Sequence, residues 1–280
     1  MIQFIVDSVV RAINVGTPRE TALANLEVPV HLKNDPDLQW HYHSLPFVWR
    51  GLYSRLGGWY GDEPLELFET TPKADAKNLM ALAGGRTNLL STAKTAYENG
   101  DMQWAAKLAH AAVTLDPDDG EAEDILINAM RSVAFDTEST SRRNYLLTEA
   151  LMMRGELDRS KQKPLLAVGA LLSAVDNMKL IEAITPRIDM KASQNVEDSW
   201  IVNFEGESDK SIITIRKGVA TVRPLAGHPN PPRQKLNVNR PAMIGILVGQ
   251  TNFKEALDNG DFSSDDVQAA KSFFELFDSW

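Results

Sequence analysis

The stretch Asn99-Gly100-Asp101-Met102-Gln103-Trp104-Ala105-Ala106, running on through Ala111 and Ala112 to Leu115-Asp116-Pro117, limits the possible folds of this chain more than any other. It reads as the end of one helix, a tight turn, a second helix and a stop. Small residues fall where two antiparallel helices touch. Asp-Pro closes the second helix, because a proline disfavours the α region for the residue before it. The same grammar recurs. Apolar residues three and four apart predict helices over 73–83, 87–98, 102–115, 120–134 and 139–154. The turns between them are short and contain Gly, Asp or Ser, so successive helices are expected to be antiparallel neighbours. Gly155 is placed as a C-terminal cap. The expectation is an all-α, tetratricopeptide-like array of helical hairpins over 71–160, a scaffold for packing against something.

A lead-in of residues 1–70 precedes the array. Ile2, Ile5, Val6, Val9 and Ile13 predict an amphipathic helix over 2–14. Thr17-Pro18-Arg19-Glu20 reads as an N-cap, a proline at the first helical position and an early acid, opening a short helix to about Leu26. Pro29 and Asn34-Asp35-Pro36 are breakers. Leu45, Val48, Leu52 and Leu56 restore helical spacing over 44–56, and Gly57-Gly58-Trp59-Tyr60-Gly61-Asp62 is a glycine-rich turn with two aromatics. The character changes at Ser160-Lys161-Gln162-Lys163-Pro164, read as a linker. A buried helix over 165–184 is expected next. Strand signals follow at 200–204, at 211–216 and 219–222 around Lys217-Gly218, and at 235–239, with a four-proline loop over 224–232. Helices over 240–248, 253–258 and 263–278, the last behind Ser263 or Ser264 as N-cap, complete an α+β region over 164–280. Its helices should surround one antiparallel sheet.

Composition narrows the chemistry. A net charge of −9, with no basic run beyond pairs such as Arg142-Arg143, argues against nucleic acid. The absence of cysteine excludes disulfides, thiolate metal sites and a Cys nucleophile. The longest apolar run, 165–175, is too short to span a bilayer, so no transmembrane segment is expected. The start, Met1-Ile-Gln-Phe-Ile-Val-Asp7, lacks the basic region of a signal peptide. As written, the chain is expected in the cytoplasm, or in the periplasm if it belongs to a longer precursor.

No Ser/His/Asp order, phosphate-cradling glycine loop or dense acid cluster stands out, so no catalytic residue is assigned. His41-Tyr42-His43 is the one paired-histidine motif, and on a strand both imidazoles would share a face as zinc ligands do. Asp35, Asp37 and Asp62 are near in sequence, but nothing fixes them as further ligands. The plainer reading is a polar, aromatic-lined loop at a domain edge, and no cofactor or metal is assigned to this chain. Trp59 and Tyr60, beside Asp62, either line a pocket or anchor the turn onto the helices. His110, between Ala109 and Ala111, is read as an inward packing histidine, and the acids of 116–124 as a solvated helix start that favours the helix dipole. The C-terminal region carries a large apolar supply: Val267, Ala270, Phe273, Phe274, Leu276, Phe277 and Trp280 on one expected helix, and Met243, Ile244, Ile246 and Leu247 on another. Either these close a core or they line a tunnel between sheet and helices that accepts an alkyl chain. In the second case the lining is Met243, Ile246, Leu247, Phe253, Phe273, Phe274, Phe277 and Trp200, with His43, Trp59 and Tyr60 as possible pocket-edge residues.

Three segments together resemble a known family. They are Phe4-Ile-Val-Asp-Ser-Val-Val-Arg-Ala-Ile-Asn14, the Thr17-Pro18-Arg19-Glu20 start, and Leu56-Gly-Gly-Trp59-Tyr60-Gly-Asp-Glu-Pro64. They resemble the alkyl sulfatases of the metallo-β-lactamase superfamily, in the part that follows the catalytic domain. The run from Gly100-Asp101 to Pro117, with Ala122 and Ala129, and the segment Ser141-Arg142-Arg143-Asn144-Tyr145-Leu146-Leu147-Thr148 are similar to that family's helical dimerisation domain. Residues from 164 onward, notably Asn239-Arg240-Pro241 to Leu247-Val248-Gly249 and Gly260-Asp261, are similar to its sterol-carrier-protein-like domain. The resemblance implies a homodimer. It also implies a partner domain or subunit of metallo-β-lactamase fold that holds two zinc ions through a His-x-His-x-Asp-His motif absent from this chain. The implied ligand is an alkyl sulfate, a fatty alcohol or another apolar molecule. Near the family's sulfate pocket this chain has Tyr42-His43-Ser44 and Phe47, so either the family's pocket histidine is lost or His43 stands in for it. The implied role is non-catalytic dimerisation and alkyl-chain binding. The alternatives are a free-standing carrier of apolar ligands, or an interaction scaffold, with no hydrolase partner.

Overall fold

The lead-in folds around two aromatic side chains. In the computed structural model, which describes residues 1–159 and 171–277, α1 (Ile2–Val15) and α4 (Leu45–Gly57) pack together, with α2 (Arg19–Ala24) and α3 (Val30–Lys33) between them in sequence. Ile5, Val9 and Ala12 of α1 are buried with Trp49 and Tyr53 of α4. The Trp49 and Tyr53 rings stack at 5.5 Å, and Trp49 Nε1 donates to Ser8 Oγ at 3.0 Å, so the indole is buried with its polar edge satisfied. Ile2, expected on the apolar face, is exposed, and Met1 and Phe4 pack against this core in its place. Thr17 does not cap α2: the helix starts after Pro18, with no side-chain cap.

The hairpin array follows as α5 (Pro72–Leu82), α6 (Arg86–Glu98), α7 (Met102–Leu115), α8 (Gly120–Asp136) and α9 (Thr140–Met153). Side-chain caps fix most of the starts. Thr71 Oγ1 accepts from Ala74 N, Asp101 from Trp104 N, Asp119 from Ala122 N and Ser139 from Arg142 N, which satisfies amide groups a helix start otherwise leaves bare. Gly100 sits at φ +82° between α6 and α7, a conformation that costs a glycine little. Leu89, Leu90, Ala93, Leu108, Ala109, Ala112, Ala122 and Leu126 form the shared core. Its alanines let the helix axes approach closely at no cost in side-chain entropy. Two expectations fail here. His110 is exposed and faces Thr114, because Ala109, Ala111 and Ala112 take the inward positions. The acids of 116–124 are not all solvated, since Asp119 is buried against Arg86.

The chain divides into two compact units, Met1–Asp158 and Arg159–Trp280. In the second, residues 171–173 are helical, the chain turns over 174–176, and α10 (Asn177–Glu182) restarts behind the Asp176 cap. One continuous helix to 184 is therefore not formed. The 160–164 linker, the first part of that expected helix and Trp280 lie outside the described residues. The sheet holds β1 (Glu197–Phe204), β2 (Lys210–Arg216), β3 (Val219–Pro224), β4 (Lys235–Val238) and β5 (Phe262–Ser264) in the order β3-β2-β1-β4-β5. It is mixed, not antiparallel throughout. β1, β2 and β3 form a meander, with Lys217 and Gly218 both at positive φ in the second turn, as a tight hairpin requires. The loop after β3 then crosses back, so that β4 lies parallel to β1. β5, expected to be the start of a helix, pairs antiparallel with β4 instead. The last helix therefore starts later than expected, capped by Asp266 and not by Ser263 or Ser264. With α11 (Arg240–Leu247), α12 (Phe253–Asp258) and α13 (Val267–Phe274), the helices bury one sheet face: Trp200, Val202 and Phe204, Ile213 and Ile215, and Leu236 and Val238.

Candidate functional site

A pocket of about 500 Å³ opens in the second unit, where the end of α11, the 249–252 turn, α12 and α13 meet. Asn252 Oδ1 accepts from Glu255 N at 2.9 Å and starts α12 one residue before Phe253. The Phe253 ring thereby stacks on Phe274, centroids 4.3 Å apart and planes within 11°, with Phe277 at 6.2 Å. These rings, with Ile246 and Leu257, form the apolar part of the lining. The wall behind them is pinned twice: Asp189 N donates to Leu276 O at 2.8 Å, and Ile188 bridges to Phe277.

Charged groups surround the mouth. Arg187 donates to Ile246 O at 3.3 Å and Leu247 O at 3.1 Å, on the terminal carbonyls of α11, where a cation is favoured. Burial lowers the pKa of its guanidinium, which stays charged at neutral pH. Asp258 accepts from Lys271 at 2.6 Å and Lys254 at 3.2 Å, and these two ammonium groups hold its carboxyl below the usual carboxylate range. The lining mixes the apolar side chains with cations and with the acids Glu255 and Glu275, a combination that suits an amphiphile, and the volume lies within the roughly 300–1,000 Å³ of small-molecule sites.

Of the residues proposed from sequence to meet an alkyl chain, Ile246, Phe253, Phe274 and Phe277 come together in this lining. Met243, Phe273 and Trp200 sit in the core below it, Trp200 against Phe273 at 5.6 Å, and Leu247 is half-buried beside it. Arg187, Lys254 and Lys271 had no sequence signal, because nothing local distinguishes a lysine that meets a pocket from one on a solvated face.

The His41-Tyr42-His43 segment works through its backbone. Thr140 N donates to His41 O at 2.8 Å, and Ser141 N to Tyr42 O at 2.9 Å. Ser139 Oγ adds a bond to Tyr42 O at 3.2 Å, while His43 Nδ1 lies 3.4 Å from Ser141 Oγ. Carbonyls from the lead-in thus satisfy bare amides at the start of α9. Among the described residues no group of three His, Cys, Asp or Glu is placed to hold a metal ion. The Trp59-Tyr60 turn is tied down from beneath. Arg19 N donates to Gly61 O at 2.7 Å, Arg19 Nη2 to Glu66 Oε1 at 2.9 Å, and Gly61 N to Glu66 Oε2 at 2.6 Å. Tyr53 OH donates to Asp62 at 3.0 Å; burial, with Asp62 next, raises the pKa of that phenol. Held this way, Trp59 is 70% exposed and Tyr60 half-buried.

Residues 17–156, from the turn before α2 to the end of the hairpin array, match the alkyl sulfatase dimerisation family. The chain belongs to that family. A linear primary-alkylsulfatase of Pseudomonas sp. is 28% identical over 287 residues, spanning 99% of this chain and 54% of the relative. An (R)-specific secondary-alkylsulfatase of Pseudomonas sp. is 25% identical over 283 residues, spanning all of this chain and 42% of the relative. The chain thus spans about half the length of the curated relatives it matches. The solved stereoselective inverting sec-alkylsulfatase Pisa1 from Pseudomonas sp. has the same fold, with a TM-score of 0.83 over 99% of this chain and 44% of that one at 23% identity.

As an alkyl sulfatase dimerisation region, the helical unit carries many bare apolar side chains. Leu82 on α5, Phe135 on α8, and Tyr145 and Leu151 on α9 are all exposed. Arg143, in the segment that resembles the family, is a clamp: it donates to Ala134 O at 3.2 Å and Thr137 O at 2.7 Å, closing the end of α8 onto α9. Among the described residues no helix is long and apolar enough to cross a membrane.

Proposed function

We propose that this chain provides self-association and alkyl-chain handling for an alkylsulfatase-like hydrolase and does not itself carry the reacting groups. The observation that carries the reading is the aromatic pocket of the second unit, four of whose lining residues, Ile246, Phe253, Phe274 and Phe277, also carried the sequence argument. In this reading the helical unit pairs two copies, and residues 164–280 act as a sterol-carrier-like module that holds the apolar tail. Zinc-dependent cleavage of the sulfate ester belongs to a metallo-β-lactamase-fold part or partner. The relatives' alkylsulfatase names and the family match support the setting, and the mixture of aromatic and charged side chains lining the pocket supports an amphiphilic ligand. His43, Trp59 and Tyr60 are proposed to face the catalytic part.

The test is a titration of the purified chain with dodecyl sulfate and dodecanol, well below their micelle-forming concentrations, followed by thermal stability and Trp fluorescence. Saturable stabilisation by both supports the reading, since a ligand that binds only the folded state must stabilise it. No saturable binding by either leaves a dimerisation scaffold with a closed core. Tightly bound zinc together with alkylsulfatase turnover by this chain alone would overturn the non-catalytic role.

A further inference from the structure

The sheet of the second unit has a second face, turned away from the core, and it is not bare. Two rows of side chains cross it in register. Asn203 on β1 lies between Lys210 on β2 and Asn237 on β4, and Asn237 pairs onward with Ser263 on β5. In the neighbouring row Ile201 lies between Ile212 and Lys235. The proline-rich loop after β3 folds back over these rows, starting with the bond from Leu225 N to Lys210 O at 2.9 Å and the turn bond from His228 N to Leu225 O at 3.0 Å. Between loop and sheet is a pocket of about 480 Å³, with Asn203, Lys210, His228, Lys235 and Asn237 among its lining.

Three observations there point the same way. First, Asn203 Oδ1 and His228 Nδ1 are buried and have no hydrogen-bond partner among the described residues, a costly state unless something else meets them. Second, the ammonium groups of Lys210 and Lys235 form no ion pair among the described residues, although the chain as a whole carries a net charge of −9. Third, no carboxylate lines the pocket. Elsewhere in this unit Lys179, Arg216, Lys254 and Lys271 each face an acid, whereas Lys191, Lys217, Arg223 and Arg233 also lack one among the described residues, so what marks this pocket is two such cations beside buried, unsatisfied polar atoms.

We infer that this pocket is a binding site for a small oxyanion, a sulfate or phosphate group either free or at the head of an ester. The two ammonium groups supply the charge, and His228 Nδ1 supplies a donor in one tautomer. Asn203 Nδ2 donates to Asn237 Oδ1 at 3.1 Å, and Asn237 Nδ2 lies 3.5 Å from Ser263 Oγ. That row can run either way. Turning both amides and rotating the Ser263 hydroxyl keeps the row bonded and presents the Asn203 NH₂ to the pocket. The site is therefore able to offer an acceptor to a protonated oxyanion or a donor to a fully ionised one. It is separate from the aromatic pocket and stands or falls independently of the alkyl-chain reading.

The test is an NMR titration of the full chain with sodium sulfate, sodium phosphate and sodium methyl sulfate, each against sodium chloride at matched ionic strength. The readout is the side-chain amide signals of Asn203 and Asn237 and the ring signals of His228. The expected result is a saturable shift with the oxyanions and none with chloride. Affinity should fall by about tenfold or more in K210Q/K235Q and in N203D, which adds a negative charge at nearly constant size. It should be unchanged in K73Q/K191Q, which removes the same charge elsewhere. Methyl sulfate binding at least as tightly as sulfate shows that the site accepts an ester head group, and a clear preference for the inorganic ions points to a free anion. Near-UV circular dichroism checks each variant, and N203D decides the matter if the double variant does not fold. Shifts that do not saturate, that chloride reproduces, or that persist in N203D overturn the proposal.

Discussion

Asp119 shows how much one side chain carries at the junction of α6 and α8. Its side chain is 4% exposed, accepts from Arg86 Nε at 2.7 Å and Nη2 at 2.6 Å, and caps Ala122 N at 3.1 Å. Arg86 is half exposed and also serves Glu121 at 2.8 Å, so solvent screens the ion pair from that side. The cap and the desolvated carboxylate therefore dominate. D119N keeps a capping oxygen and should cost about 1 kcal/mol, whereas D119A loses cap and pair together and should cost about 2 kcal/mol, read from urea unfolding. The pH dependence follows from the same contacts. Hydrogen bonds from Arg86 hold the Asp119 carboxyl below its ordinary range, so the folded pKa lies below the unfolded one of about 3.9. The stabilisation is present above that value and is lost as pH falls through the folded pKa. Melting temperature should fall less steeply below about pH 4 in D119N than in the parent. Equal slopes would show that Asp119 does not contribute to acid unfolding.

At the scale of elements, the α6–α7 hairpin depends on Gly100 and Asp101. A Cβ at Gly100 would meet no atom within 4 Å, so only its φ of +82° opposes a side chain. G100A should cost about 1 kcal/mol through backbone strain alone, and D101A about 1 kcal/mol through the lost bond to Trp104 N. Ala109, fully buried at the α7 interface, behaves differently. A109L should cost more than either, about 1–3 kcal/mol or beyond, because the surrounding helices cannot yield. Chemical denaturation of the three variants gives the order, and a tolerated A109L would contradict the close alanine packing.

These elements were legible because their determinants are local: a 3.6-residue period, a capping Asp or Ser, a glycine at the turn. The sheet shows where that reading ends. Trp200, Val202 and Phe204 announce a strand, but nothing in their neighbourhood states that β4 will lie parallel to β1, since that depends on where the 225–234 connection crosses. β5 has three residues, Phe262–Ser264, too few to show a period, and Ser263 looks as good an N-cap as Asp266 does. The aromatic pocket was half legible for the same reason. Phe253, Phe274 and Phe277 stand out as apolar residues, whereas Arg187 reaches α11 across sixty residues of sequence and leaves no local mark.

At the scale of the whole molecule, membership of a dimerisation family and the bare side chains of the helical unit make the same demand. Leu82, 86% exposed, and Phe135, 66% exposed, leave apolar surface that a lone chain would present to water. Sedimentation should show a dimer at micromolar concentration, and variants L82E and F135E, neither disturbing a buried core, should weaken it if these residues lie in the seam. A chain that stays monomeric as concentration rises would remove self-association from the proposed function. The ligand prediction is separable from this one by linkage. An alkyl ligand at 100 times its Kd adds about 2.7 kcal/mol to the state that binds it. For a unit of this size, each kcal/mol raises the melting temperature by about 4 °C. A saturating dodecyl ligand should therefore raise the transition of the α+β unit by at least about 10 °C, while the transition of the helical unit responds to protein concentration and not to the ligand. Calorimetry of the full chain across both variables decides it. If the ligand moves the helical transition instead, the binding surface is in the hairpin array, and the aromatic pocket between α11, α12 and α13 is a closed core.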